Sequence, residues 1–284
     1  MAHALPSGIR VGGSALPDGV MMLTPLAAAI AREGADGALK IEAFPLPERK
    51  THRVERLLFV RILPKLIGQM ALVVRGWKPK RGRRIPLPLL AVVIVIGLLS
   101  SMANAIFASL PSVWHATGSS LVQLTLFFAV IGVTRAVPRF GRIWRFHGGE
   151  HQAIATYEAG MDLTVENAVG RTLYHPRCGT NLAILAMLLM VPGMVTGAEV
   201  PGIFGYVITV AIPLPALCIA FEMVMWGQKR MGAVLWPGLA FQRLTVARPG
   251  LAESRAGIAA LTAALIEHAR IESGRTQVAA HAAQ

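Results

Sequence analysis

The sequence predicts a mainly α, polytopic membrane protein with about four transmembrane helices, a small β-rich cytoplasmic unit at its amino terminus, and amphipathic helices. Three observations predict this. Hydrophobic residues are 54% of the 284 and charged residues 15%, with a mean hydropathy of +0.54, too apolar for an ordinary soluble domain. Four segments, 87–110, 121–137, 182–196 and 203–226, have the composition of bilayer spans, the third being short. The cations are placed asymmetrically. Of 28 Lys and Arg, 15 precede residue 87, 6 lie from Arg135 to Arg177 and 7 follow residue 226, while the connections 111–120 and 197–202 hold none. By the positive-inside rule, both termini and the 138–181 connection are cytoplasmic.

That distribution accounts for the net charge of +13 without nucleic acid, and no nucleic-acid partner is expected. Cys178 and Cys218 are too few for a disulfide framework. The amino terminus lacks a basic region followed by an apolar run, so a cleaved signal peptide is not expected.

The elements follow in order. Residues 1–50 form the β-rich unit, with strands predicted at 20–23, 26–32 and 39–46 and a turn at 33–37 between the last two. Residues 51–84 hold an interfacial helix over 57–77, its polar positions Arg61, Lys65, Gln69 and Arg75 spaced along one face, with Pro64 a candidate kink. The basic run 78–84 then reads as a membrane-proximal anchor rather than a nucleic-acid patch. Residues 85–137 carry the first two spans, 138–181 a polar cytoplasmic stretch, and 182–226 the last two spans. Glu222, near the end of the fourth span, is either interfacial or part of a polar site. The segment 227–284 is a cytoplasmic amphipathic tail. Its helix places Ile258, Leu261, Leu265 and Ile266 on one side, and the chain frays from Thr276.

The chemistry concentrates in 140–181. His147, Glu150, His151, Glu158, Glu166, His175 and Cys178 all fall there. His147-Gly-Gly-Glu150-His151 fits H-x-x-E-H, in which two imidazoles one helical turn apart share a metal ion and the carboxylate serves as general base. Glu158 lies two turns further on, a candidate third ligand or a partner that orients a ligand, and Gly160 is a natural stop for the helix. His175 and Cys178, just ahead of an apolar segment, complete a soft donor set suited to a divalent metal, with zinc the expected ion. Four ligands from His147, His151, His175 and Cys178 would close a structural site, whereas three plus water would make a catalytic one. Thr164 reads as a helix cap with Glu166 and Asn167 in the first turn, and Glu166 is alternatively an acid/base or ligand. Arg171 and Arg177 are candidate anion or headgroup contacts, or positive-inside residues.

The strings FHGGEHQAIATYEAGMDLTVENA and LYHPRCGTN resemble the signature of the YqhQ family of bacterial membrane proteins. Tyr157, Thr180 and Gly179 match that signature along with the His, Glu and Cys residues above. Pro237-Gly238-Leu239 and Gln242-Arg243-Leu244-Thr245 are similar to the family's carboxy-terminal segment, and Gly12-Gly13 with Asp18-Gly19-Val20-Met21-Met22 to its amino-terminal one. Two positions depart: Asp18 stands where the family has Glu, and Leu23 where it has Arg. The resemblance implies a multi-pass protein of the bacterial inner membrane and a predicted metal-dependent enzyme, with Asp18, Glu166, Asn167 and Arg177 as further candidate site residues.

The expected function is a membrane-bound, zinc-dependent hydrolase with Glu150 as general base, acting at the cytoplasmic face on a lipid-linked or membrane-partitioning substrate, with membrane lipid and a protein as partners there. The alternative is a non-enzymatic scaffold stapled by a structural metal.

Overall fold

The computed structural model describes residues 6–34, 36–47, 57–76, 105–200, 202–230 and 232–282, with the pairs 94–95, 98–99 and 101–102. The basic run 78–84 and half of the first predicted span, 87–93 among it, lie outside the described residues.

Strands β1 (Gly12–Leu16), β2 (Gly19–Leu23), β3 (Ala27–Glu33) and β4 (Leu39–Pro45) form one antiparallel sheet in chain order. Every link is a short turn. Thr24 closes the β2–β3 turn by donating to the Ala27 carbonyl from its hydroxyl and its amide. Gly37, at φ +76°, turns β3 into β4 in a conformation that favours glycine. The three expected strands are present within a residue or two. β1 is an addition, since GGSAL has weak strand propensity. Its strand form comes from pairing with β2 and from complete burial of Leu16.

The sheet buries both faces by its two-residue alternation. Val20, Met22, Ala29 and Ala31 join a core with Phe146, Ala153 and Ile154 of α3 (Pro138–Glu158) and Leu261, Ala264 and Leu265 of α9 (Leu251–Ala282). Leu16, Met21, Ala28, Ile30 and Phe44 face the other way, against Leu72 of α1 (Ile62–Gly76). Pro64 lies in the first turn of α1, where its missing amide costs no helical bond, so it starts the helix instead of kinking it.

The tail helix α9 therefore packs on the sheet. Of its expected apolar side, Ile258, Leu261 and Leu265 are buried but Ile266 is 57% exposed, because one further residue turns about 100° around the axis. It runs to Ala282, past Thr276 where fraying was expected.

Glycine sets how closely α9 and α3 approach. A Cβ at Gly149 would strike the Glu253 carbonyl, and one at Gly257 would strike the Gly149 carbonyl. Gly148 meets the Ala247 carbonyl in the same way. The two glycines of HGGEH, which weaken a helix taken alone, thus allow it to lie backbone to backbone against its neighbours. Glu253 reinforces the crossing. It accepts from the Gly250 amide as half of a capping box, and it pairs with Arg145 at 3.0 Å. Arg142 adds an ion pair to Glu33 of β3.

The apolar half comprises α2 (Ser112–Ala136), α5 (Gly179–Glu199), α6 (Gly202–Ala211), α7 (Pro213–Arg230) and α8 (Gly232–Thr245). The fold is mostly helical with a small amino-terminal sheet, and it corrects the count of four spans. Among the described residues, two stretches are long and apolar enough to cross a membrane: Val113–Ala136, and Gly202–Gly227 through α6 and α7. The third expected span shows only the shorter apolar stretch Gly179–Val191. The connection expected at 111–120 is helical from Ser112, since nothing in VWHATGSS stops a helix that tertiary packing extends.

Glu222 of α7 is neither free nor at the metal cluster. Arg61 grips it with both arms, Nε to Oε1 at 2.8 Å and Nη2 to Oε2 at 2.5 Å, and the Phe59 amide adds a third bond at 3.2 Å. The pair ties the start of α1 to the apolar bundle.

Two predictions follow from this packing. Gly149→Ala or Gly257→Ala should destabilise by about 1–3 kcal/mol, because backbone must shift, whereas Gly132→Ala, with open space at its Cβ position, should be neutral in the same thermal melts. In a double-mutant cycle, Arg61→Met and Glu222→Gln should each destabilise the detergent-solubilised protein and couple by about 1–3 kcal/mol; additive effects would remove the pair from the stabilising contacts.

Candidate metal centre

α3 carries the histidines. Pro138 begins it, Gly160 at φ +67° follows its end as expected, and His147 and His151 sit one turn apart with ring centroids 4.5 Å apart. Each ring is oriented by a backbone carbonyl. His147 Nδ1 lies 2.8 Å from the Thr245 carbonyl at the end of α8, and His151 Nδ1 bonds the Leu173 carbonyl in the loop before α5. A ring nitrogen facing a carbonyl must carry the proton, which fixes the tautomer and leaves each Nε2 lone pair available.

Cys178 comes from the other direction, as the residue before α5. Its sulfur is 3.3 Å from His147 Nε2 and 3.0 Å from the Thr180 hydroxyl. The donor atoms of His147, His151 and Cys178 all lie within 4.8 Å of one another, so this cluster can hold a metal ion. The spacing fits a soft divalent ion. Bonds of about 2.0 Å to nitrogen and 2.3 Å to sulfur at a tetrahedral angle separate the two donors by about 3.5 Å.

His175 and Glu158 are placed differently. His175 Nδ1 accepts from the Arg177 amide at 3.2 Å and Nε2 faces Glu158 at 3.1 Å, so both ring nitrogens are engaged. Burial holds its pKa below the ordinary histidine value against the pull of Glu158, consistent with a neutral ring donating to that carboxylate. Glu158 also pairs with Arg177. Three donors therefore converge, and His175, Glu158 and Arg177 form a layer beside them.

Glu150 has a different environment. It is 6% exposed and makes no hydrogen bond or ion pair among the described residues. Its side chain lies against Gly13 of β1, where a Cβ would stand 2.8 Å away. Burial raises its pKa from 4.5 to about 7, a rise partly offset by His147. Glu150, His147, His151, His175, Arg177 and Cys178 all line one cavity of about 580 Å³, which Gly12 to Ala15 of β1, Lys65 and Leu66 of α1 and Phe221 of α7 also wall.

The remaining candidates lie elsewhere. Thr164 caps α4 (Val165–Ala168) by accepting from the Asn167 amide at 3.2 Å, the structural role expected of it, and Glu166 is exposed in that turn. Arg171 bonds the Asn167 carbonyl and Met161 sulfur. Asp18 pairs with Arg32 at 2.5 Å at the β1–β2 turn, and Leu23 packs under the sheet. Neither is among the cavity's lining residues.

Several residues that position the site were not singled out from sequence. Gln242 of α8, wholly buried, donates to the His175 carbonyl and accepts from the His175 amide, both at 2.9 Å, and also donates to Asn181. Asn181 in turn donates to the Pro176 carbonyl at 2.7 Å. The α8 backbone passes so close that a Cβ at Gly238 would collide with Asn181. The similarity of Gln242–Thr245 to the family's tail pointed to this segment, without revealing what it holds.

With the site in view, the comparisons with known proteins can be stated. The chain belongs to the family described as proteins of unknown function, DUF1385, whose model matches residues 81–267. It is 30% identical over 141 residues to the uncharacterized protein YqhQ of Bacillus subtilis (strain 168), which agrees with the YqhQ-like signature. That alignment covers 46% of this chain and 42% of the relative, so the chain spans under half of that relative's length. No solved structure matches.

The Glu150 environment generates a pH prediction for metal-free protein. Between pH 4.5 and about 7 the folded state binds a proton that the unfolded state has lost, so stability falls as pH rises through that window. Glu150→Gln should match wild type below pH 4.5 and exceed it increasingly above, by on the order of 3 kcal/mol beyond pH 7. Chemical denaturation across that range, with chelator present, measures the difference.

Proposed function

We propose that this protein is a membrane-bound, metal-dependent hydrolase, with His147, His151 and Cys178 as ligands of a zinc ion and the reactive cavity at the cytoplasmic face of a bacterial inner membrane. One observation carries the reading: a buried carboxylate, unpaired among the described residues, stands beside a three-donor cluster, and both open into the same cavity. Three donors leave a position for water, which favours catalysis over the closed four-ligand set of a structural staple.

The chemistry divides simply. A zinc ion bound here would supply Lewis acidity, lowering the pKa of water and polarising a scissile carbonyl. Glu150, with a pKa near neutrality, accepts the proton from the attacking water and returns it to the leaving group. His175, held by Gln242 and paired with Glu158, keeps Arg177 and the loop of Cys178 in place. Arg177 and Lys65 add positive charge to the cavity lining, suited to an anionic substrate or product.

A membrane setting is supported by exposure. Only 6% of the apolar window of Val113–Ala136 and 25% of that of Gly202–Gly227 is buried, the opposite of a soluble protein's core helix. Trp114, Leu121, Phe127, Ile203, Phe204 and Val207 would contact lipid. With the positive-inside distribution, this supports a multi-pass protein whose termini and catalytic loop face the cytoplasm. Such a site suits a substrate that partitions into or is tethered to the membrane, and leaves the basic cytoplasmic surface for lipid headgroups or a protein partner.

The test is metal content of the detergent-purified protein by mass spectrometry. Wild type should carry about one zinc per chain, and His147→Ala/His151→Ala should carry none. Glu150→Gln should keep the metal while hydrolysis of an ester or amide reporter falls by about 10²–10⁴-fold. Metal-replete wild type that binds none would end the hydrolase reading.

A further inference from the structure

β1 meets the metal cavity with its edge. A strand that offers a face to a cavity contributes alternate residues. Here a run of five, Val11 to Ala15, lines it without a gap. The sheet order places β1 outermost, paired only with β2, and among the described residues no other backbone bonds to its free side.

The register identifies the groups exposed there. Leu16 and Gly19 close a two-residue hairpin, so the hydrogen-bonded pairs are Leu16–Gly19, Ser14–Met21 and Gly12–Leu23. Gly13 and Ala15 then turn their N–H and C=O groups away from β2, toward the cavity. The cavity wraps both faces of this edge: Gly12 has open space at its Cβ position on one face, and on the other Gly13 is the residue against which Glu150 rests. An open strand edge therefore runs directly beside the carboxylate and the metal donors.

We propose that the substrate is an extended polypeptide segment, which adds to β1 as a further antiparallel or parallel strand and so presents one peptide bond to Glu150 and the His147, His151 and Cys178 cluster. This rests on the hydrolase reading and names its substrate class. Only a polypeptide backbone offers donors and acceptors that alternate at strand spacing, so it satisfies Gly13 and Ala15 where an acyl chain cannot. Alternate side chains of the segment would face Ile62 and Leu66 of α1 and Ile154 of α3, which selects apolar residues. Water adds to the peptide carbonyl carbon, the C–N bond breaks, and Glu150 carries the water's proton to the departing amine. The products are a carboxylate and an ammonium group, which together hold both protons of the water, with no redox change.

The experiment uses the full chain, zinc-loaded in detergent, incubated with a proteome-derived peptide library and read by mass spectrometry. The best substrate is then resynthesised with a single N-methyl group walked along its backbone. Cleavage beside apolar residues, with kcat/KM reduced roughly ten-fold at every second position near the cut and little changed between, is the expected result. N-methyl sensitivity without that period overturns strand addition. Glu150-dependent hydrolysis of an ester reporter, or of lipid-linked material in vesicles of bacterial phospholipid, without peptide cleavage overturns the polypeptide substrate and leaves the hydrolase standing. Absence of bound metal removes both.

Discussion

The backbone contact between α3 and α9 is the constraint on which the rest of the fold depends. Gly149 and Gly257 let two helices touch carbonyl to Cα, and Gly148 does the same for the segment at Ala247. That contact presses one side of α3 into the core with Phe146 and Ala153, leaving the side with His147, Glu150 and His151 toward the cavity. A side chain at either glycine would push α3 outward and move both imidazoles from the carbonyls that orient them. The same glycines thus serve packing and chemistry together, which explains why a helix tolerates two of them in succession despite their propensity cost.

The site is built from pieces far apart in the chain, each fixed by backbone groups more than by side-chain pairs. Thr245 and Leu173 contribute carbonyls, and Gln242 bonds both the amide and the carbonyl of His175. Backbone partners cannot rotate away, so this arrangement gives donors a fixed direction at small entropic cost. Glu150 is the exception. Among the described residues it is buried without a hydrogen-bond partner, an expensive state for a carboxylate, and strongly perturbed groups of this kind cluster at functional sites.

The apolar helices are tied to the sheet-bearing half and to one another at specific points. The Arg61–Glu222 fork joins α1 to α7. Arg135, at the end of α2, donates to the carbonyls of Arg243 and Leu244 that end α8, satisfying acceptors the helix itself leaves open. Phe127 and Phe128 pack on Phe241 of α8. α8, which supplies Gln242 and Thr245, is therefore held from the apolar side while it positions the metal donors on the other.

By itself the sequence determined the mostly helical class, three of the four strands, the helix through His147 and His151 with its stop at Gly160, the Thr164 cap, and the pairing of HGGEH with Cys178 as a donor set. These are local properties: periodicity, turn chemistry and residue type at fixed spacing survive without knowledge of neighbours. Tertiary structure decided the rest. It made GGSAL a strand because β2 offered a ladder, and gave Glu222 to Arg61 because α1 begins beside α7. It turned His175 toward Glu158 because the Arg177 amide and Gln242 occupy its other contacts. It shortened the third expected span to the apolar stretch at the start of α5, because hydropathy cannot distinguish a helix facing lipid from one that packs among its neighbours. Which donors converge, and on which wall of the cavity they stand, depends on contacts between segments up to a hundred residues apart, and no local pattern encodes those.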